Sequence, residues 1–154
     1  MSFEIRKYQS SDFDQLIKLL LEDDLGKCRE SLDGSSHVNY QKAITEITSD
    51  ENFDIFVMVD STSFEIIGCF QFMLLPHISL QGTKRCQVES VRVRKDLRGN
   101  GFGTSLMKHA IDLAKEKGCG IFQLTSNKSR KEESHKFYRK LGMKASHEGY
   151  KLYF

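Results

Sequence analysis

The sequence contains no long apolar run and no large excess of charge of one sign. None of its 154 residues lie in a stretch that reaches the roughly 20 apolar residues of a membrane-spanning helix. The polar N-terminus with its early acids is typical of neither a signal peptide nor a transit peptide. The formal net charge of +2 is weak support for a nucleic-acid partner. These absences predict a cytoplasmic protein with no membrane and no nucleic-acid partner.

Cysteine and proline are also scarce. The four cysteines, at positions 28, 69, 86 and 119, form no CxxC pair, and no histidine spacing indicates zinc, so we expect no metal. Cys69 and Cys86 fall in strand-like runs and are expected to be small, reduced core residues. Pro76, the single proline, follows a strand-like run and is predicted to end it.

Apolar periodicity predicts one α/β domain over residues 1–154. The order is strand, two helices, three strands, helix, strand, helix and closing strands, which differs from the strict alternation of a doubly wound sheet. The predicted strands cover 3–8, 53–60, 65–75, 84–94 and 120–126, with short closing strands in 143–154. The predicted helices cover 10–24, 38–48, 103–117 and 129–142.

The strand predicted over 84–94 contains a break in its alternation. In a regular strand Val91 and Val93 share a face with Gln87 and Glu89, whereas Val88 points the other way. An inserted residue, a β-bulge, would return the valines to one face, and bulges are frequent next to active sites. A strand covered on both faces would need no such correction, so the pattern allows both interpretations.

Three glycines, Gly99, Gly101 and Gly103, precede the clearest helix of the chain. A strand, a glycine turn and a helix N-terminus together favour an anion site, because the first helical amides have no intrahelical partner. No lysine follows the glycines as in a Walker A loop, and G-x-G-x-G late in the chain is a poor dinucleotide fingerprint. Basic residues on both sides, in 92–98 and 128–131, favour a small polyanion.

The loop "RGNGFG" (98–103), the preceding "VRVR" and the later "SHKFYRKLGM" (134–143) together resemble the GNAT N-acetyltransferase superfamily. The opening "IRKYQSSDFDQLIKLL" is also similar to the first strand and helix of that family. The resemblance implies a mixed, mostly antiparallel central sheet with a splay between the fourth and fifth strands and helices on both faces. It implies acetyl-CoA as the acyl donor.

The resemblance assigns cofactor contacts to two segments. The loop around Asn100 would hold the pyrophosphate on its backbone amides, and the preceding strand would pair with the pantetheine arm. The loop residues concerned are Arg98, Gly99, Asn100, Gly101, Phe102, Gly103 and Thr104, and the strand residues are Val91, Arg92 and Val93.

The resemblance also implies two catalytic side chains. Tyr138 matches the tyrosine that acts as general acid at the CoA sulfur, although Phe137 and Tyr138 also fit a core pair on an amphipathic helix. Glu89 is the candidate general base for the attacking amine, and an ordinary strand carboxylate paired with arginine is its alternative. The amide of Val91 is the implied oxyanion donor.

One part of the family pattern is altered. Where many members have Asn-x-x-Ala, this chain has Lys131 and Ser134, and Asn127 lies earlier. Asn127 and Ser134 are the candidates for holding the pantetheine arm at this point. His77 lies in a loop that would border the acceptor cleft, where an ordinary exposed histidine is the simpler interpretation.

The expected acceptor is a primary amine, most simply that of a small molecule, attacked directly in a ternary complex. Acids and aromatics in the surrounding loops suit a cationic amine, although such a composition is also ordinary for loops. These residues are Glu30, Asp33, Tyr40, Glu148, Tyr150 and Tyr153. A protein or peptide acceptor, and a GNAT module that binds CoA without turnover, remain alternatives. A homodimer would be common for the family.

Overall fold

The computed structural model of the protein describes residues 1–22, 30–31, 33–130 and 134–154. They form two compact units, Met1–Gln123 and Leu124–Phe154. The helices are α1 (Phe13–Leu21), α2 (Gly34–Ser49), the single turn α3 (Ser79–Gly82), α4 (Phe102–Glu116) and α5 (Ser134–Lys140). The strands are β1 (Phe3–Lys7), β2 (Phe53–Asp60), β3 (Ile66–Leu75), β4 (Arg85–Val93) and β5 (Ile121–Leu124).

The five strands form one sheet in the order β1-β2-β3-β4-β5. Strands β1 to β4 are antiparallel neighbours, and β5 joins β4 in parallel after the crossover through α4. A parallel pair requires such a crossover, which a helix of this length supplies. The predicted mixed and mostly antiparallel sheet is confirmed.

Helices cover both faces of this sheet. On β2, Ile55 and Val57 point towards α1 and pack in one cluster with Leu16 and Leu19. The intervening Phe56 points to the other face, where its ring centroid lies 5.6 Å from that of His109 in α4. Both faces are therefore apolar, which is why β2 reads as an almost continuous hydrophobic run.

A β-bulge interrupts β4. Cys69 of β3 pairs with Arg92, and Gln71 pairs with Glu89, so two residues of β4 lie opposite one residue of β3. Ser90, one of the two, has a φ of 51°, in the left-handed region. The bulge interpretation of the sequence is thus confirmed, and the alternative of a regular strand is wrong.

The bulge explains the break in alternation. Val88 pairs with Phe72, and Val93 pairs with Gly68 on the face covered by α4. Without the extra residue these two valines would point to opposite faces. Glu89 points to the other face, the one covered by α1.

Strand β5 covers only the first part of β4. The Gly120 amide donates to the Lys84 carbonyl at 3.0 Å, which sets the starts of the two strands level. Since β5 has four residues and β4 has nine, the second half of β4 runs past the end of β5. The expected separation of the fourth and fifth strands lies there.

The predicted start of one helix and the predicted closing strands are wrong. Helix α2 begins at Gly34, four residues earlier than predicted, because the Asp33 carboxylate accepts the Ser36 amide at 2.7 Å and caps it. The closing strands predicted in 143–154 are absent, since this segment has no ladder pairing in the described chain. Its alternating Tyr150 and Leu152 are exposed, and alternation without a partner strand does not make a strand.

The cysteine predictions agree with the structure where it describes them. Cys69 and Cys86 are buried and form no disulfide, and burial raises the pKa of each thiol to about 12. Both are core residues, as expected, whereas Cys28 lies outside the described residues. In the described ranges, every helix is too short or too polar to span a bilayer.

Candidate active site

The glycine loop joins β4 to α4. Gly99 and Gly101 have φ values of +83° and +88°, a region that glycine occupies at little cost. Gly101 is the residue before the first helical position, and both glycines are exposed to solvent. A Cβ atom at either position would meet nothing within 4 Å, so the space above the loop is open.

The loop presents a row of backbone donors to that space. Ser105 makes the first hydrogen bond of α4, to the Gly101 carbonyl at 3.0 Å. Within the described chain, the amides from Gly99 to Thr104 donate to no backbone or side-chain acceptor. Together with the helix dipole, these amides suit a diphosphate.

Side chains of the loop stabilise its conformation through hydrogen bonds and packing. Asn100 donates to the carbonyls of Leu97 and Arg98 at 3.3 and 3.4 Å, and Arg98 Nε donates to the Val93 carbonyl at 3.1 Å. The Phe102 ring packs edge-on against Phe3 of β1, with centroids 5.7 Å apart. The side chains of Asn100 and Phe102 thus support the loop, and its backbone is what an anion would contact.

Basic charge near the loop is partly neutralised already. Arg94 donates to Glu65 and to Asp96, at 2.8 Å in each case. The hydrogen bond from Arg94 lowers the pKa of the Asp96 carboxyl. Arg94 is therefore less suited to neutralising phosphate than its position in the sequence indicates.

The half-buried Glu89 side chain accepts a hydrogen bond from the second of two glutamine side chains that are linked to each other. Gln123 of β5 donates to Gln87 Oε1 at 2.8 Å, and Gln87 Nε2 donates to Glu89 Oε1, also at 2.8 Å. The first contact fixes which end of the Gln87 amide faces Glu89. The sequence did not indicate this chain, because it depends on the register of β4 against β5.

Val91 and Arg92 occupy the end of the bulge. Arg92 Nη1 donates to the Val91 carbonyl at 2.9 Å, and Cys69 Sγ donates to the Ser90 carbonyl at 3.4 Å. These contacts fix the backbone just after Glu89. The structure therefore brings Glu89, Val91, Arg92 and Val93 together on one short segment that leads to the glycine loop.

Tyr138, Asn127 and Ser134 belong to the unit Leu124–Phe154. Tyr138 is half-buried in α5, and its ring centroid lies 5.2 Å from that of Phe137. Asn127 is exposed, and its Oδ1 accepts the Ser129 amide at 2.9 Å. Ser134 is the first residue of α5, and Lys131 lies outside the described residues.

The acids expected to attract a cationic acceptor have local partners. Asp33 caps α2, Glu30 accepts the Tyr40 hydroxyl at 2.6 Å, and Glu148 lies 3.5 Å from Lys128 Nζ. Their carboxylates are therefore engaged in holding loops. His77, expected to be an ordinary exposed histidine, is instead half-buried and hydrogen-bonded to Arg85.

The chain is similar to several solved structures over nearly its whole length. A transcriptional regulator from Bacillus halodurans is 38% identical, with a TM-score of 0.93 and coverage of 99% of this chain and 100% of that one. Glucosamine-6-phosphate N-acetyltransferase from Arabidopsis thaliana is 25% identical, with a TM-score of 0.80 and coverage of 100% and 99%. A Trypanosoma brucei acetyltransferase, 24% identical with a TM-score of 0.76 and coverage of 99% and 100%, shares the fold.

The sequence also matches the acetyltransferase (GNAT) family over residues 15–143. That range includes β4 with its bulge, the glycine loop, α4 and α5. The match therefore extends over the loop whose backbone amides suit a diphosphate. The chain belongs to the GNAT family of acetyltransferases.

Proposed function

We propose that this protein transfers an acetyl group from acetyl-CoA to the primary amine of a small molecule, with the whole chain acting as one domain. The observation that carries the proposal is the exposed loop at Gly99–Gly101 at the start of α4, in a chain of this family. The relative from A. thaliana, named for a small amino sugar, supports a small acceptor.

The residues of the loop fit the pyrophosphate of the donor. Unpaired amides, open space above two glycines and a helix N-terminus are what a diphosphate requires. We assign the pantetheine arm to the second half of β4, Val91–Val93, which runs past the end of β5. Asn127 and Ser134 are the proposed further contacts to that arm.

Glu89 is the proposed general base. The amine nitrogen attacks the thioester carbonyl, and the C–S bond breaks. Glu89 accepts the proton that the nitrogen loses, directly or through a water molecule. The Val91 amide, at the bulge, donates to the carbonyl oxygen as negative charge develops on it.

Tyr138 is the proposed general acid. Its phenol gives a proton to the departing CoA thiolate, which makes the sulfur a better leaving group. Acid and base are thus assigned to different elements, α5 and β4.

A second candidate function is regulation without turnover. The relative from B. halodurans, at 38% identity, is named a transcriptional regulator. A GNAT module of that kind would bind CoA through the same loop but release no thiol when amines are supplied. Calorimetry with acetyl-CoA, combined with a thiol-release assay, separates the two functions.

The test is a thiol-release assay across polyamines, amino sugars and their phosphates, aminoalkyl acids, arylamines and peptides. We expect thiol release with at least one small amine. Glu89→Gln and Tyr138→Phe should each lower kcat by about 100-fold, the usual contribution of one acid or base. Both variants should bind acetyl-CoA like the wild type.

Two results would contradict the proposal. Tight acetyl-CoA binding with no thiol release from any amine supports the regulatory function instead. Wild-type kcat in both variants removes the roles of Glu89 and Tyr138 and leaves the fold unaffected.

A further inference from the structure

Arg85, at the start of β4, carries a charge that no carboxylate of the described residues balances. In the described part of the chain, no acid lies within 4.0 Å of its guanidinium, whereas the ion pairs found there engage other cations. Arg85 is half-buried, and its Nε is buried without a hydrogen-bond partner. A half-buried cation with an unsatisfied donor is costly unless an anion completes it.

Among the residues that the structure describes, the hydrogen-bond partner of this guanidinium is an imidazole. Arg85 donates to Nε2 of His77, while His77 Nδ1 donates to the Ser79 carbonyl at 3.1 Å. An imidazole brings no negative charge to the guanidinium. His77 therefore orients the guanidinium and leaves its positive charge in place.

Arg85 shares a face of β4 with Glu89. Residues 85, 87 and 89 lie on the same face of the strand, before the bulge, and pair with residues 75, 73 and 71 of β3. Four residues of extended strand place the Cα atoms of Arg85 and Glu89 about 13 Å apart. A positive end and a negative end thus lie along one strand, with Gln87 between them.

We propose that Arg85, held by His77, forms an anion subsite for the acceptor, which is therefore an amine that also carries a carboxylate or phosphate. The inference rests on the proposed function, because it uses Glu89 as the amine end of the site. The charges are complementary: the amine lies towards Glu89 and the anion towards Arg85. Several bonds separate the two groups of such an acceptor.

Matched pairs of amines test this subsite. One pair is 6-aminohexanoate and its neutral counterpart 6-aminohexanamide, and the other is 6-aminohexyl phosphate and its neutral counterpart 6-aminohexanol. Within a pair only one member carries the anion. Comparison between the pairs distinguishes a carboxylate site from a phosphate site. Thiol release gives kcat/KM, and calorimetry on the CoA-loaded protein gives binding without turnover. The variants are Arg85→Gln and Arg85→Lys, with Lys84→Gln as a control that removes the same charge from an exposed neighbour.

We expect the wild type to prefer the anionic member of at least one pair by about tenfold or more, the effect of one charged hydrogen bond. Arg85→Gln should abolish the preference without changing the neutral probes or the KM for acetyl-CoA. Arg85→Lys should retain part of it, and Lys84→Gln all of it.

Equal binding of charged and neutral probes to the wild type, or no binding of any probe, overturns the subsite. An equal loss for both members of a pair in Arg85→Gln also overturns it, since that result indicates a structural role. If probes bind with the expected preference but no thiol is released, the subsite stands and the proposed turnover fails.

Discussion

At the scale of single residues, two glycines with the same backbone geometry have different surroundings. Gly101, before α4, has a φ of +88°, and Gly118, after α4, has a φ of +72°. A Cβ at either position meets nothing within 4 Å. Only Gly101 lies in the row of donors that we assign to the diphosphate. Comparing substitutions at the two glycines therefore separates the effect of backbone strain from the effect of ligand contact.

Gly101→Ala should weaken acetyl-CoA binding by at least tenfold, because the methyl group enters the space proposed for the phosphate oxygens. Both Gly101→Ala and Gly118→Ala should lose about 1–2 kcal/mol of unfolding free energy from the left-handed backbone. Calorimetry with acetyl-CoA and denaturant unfolding measure the two effects. Equal acetyl-CoA affinity in the two variants would show that Gly101 has only a conformational role.

At the scale of elements, β4 and β5 show what the sequence could predict and what it could not. Valine spacing within β4 allowed a bulge as one of two interpretations, because side-chain alternation is a local property. The contact of Gln123 with Gln87 depends on how two distant strands align, and spacing within one strand carries no such information. The pairing of His77 with Arg85 was missed for the same kind of reason, since loop conformation decides it.

Gln87 should act on the reaction through Glu89. Gln87→Leu removes the hydrogen bond to the carboxylate and should lower kcat by about tenfold, with KM for acetyl-CoA unchanged. In a Glu89→Gln background the same change should have almost no further effect. Gln123→Leu, which releases the Gln87 amide, should give a smaller loss than Gln87→Leu.

A double-mutant cycle of Gln87 and Glu89 can contradict this role. If Gln87→Leu lowers kcat equally in the wild type and in Glu89→Gln, the two side chains act independently. Gln87 would then support the sheet and would not position the carboxylate.

At the scale of the whole molecule, a partly buried ion pair near the N-terminus joins two elements. Asp12, 4% exposed, accepts two hydrogen bonds from Arg6, at 2.6 and 2.9 Å, and one from the Gln9 amide at 2.8 Å. Burial acts to raise the pKa of the Asp12 carboxyl, but these hydrogen bonds outweigh it and hold the pKa below its ordinary value. The pair ties β1 to the start of α1.

Asp12→Asn should lower the free energy of unfolding at pH 7 by about 3 kcal/mol, because it leaves Arg6 without its partner. A depressed carboxyl pKa stabilises above the unfolded value of about 3.9, and this stability is lost as pH falls through the folded value. The difference between variant and wild type should therefore shrink below pH 4 in urea unfolding.

Asp54→Asn is the control, since it breaks the more exposed pair with Lys7 and should cost less than about 1 kcal/mol. A difference between Asp12→Asn and wild type that stays constant from pH 7 to pH 3 would contradict the assignment to this ion pair.

Across the whole chain, sequence patterns predicted the sheet but failed near the end of the sequence. Periodicity predicted all five sheet strands, since β2 and β3 are long apolar runs that only a sheet covered on both faces accommodates. It failed in 143–154, where Tyr150 and Leu152 alternate like a strand but pair with none. Strand formation there depends on a partner, which local sequence does not encode.

The proposed function depends on the backbone amides of the glycine loop binding the diphosphate of acetyl-CoA. Titration of the nitrogen-15-labelled protein with acetyl-CoA, followed by backbone amide resonances, tests it most directly. We expect saturable shifts that are largest from Gly99 to Thr104, with further changes from Val91 to Val93. Saturable binding that leaves the loop amides unmoved, or no binding at all, would contradict it.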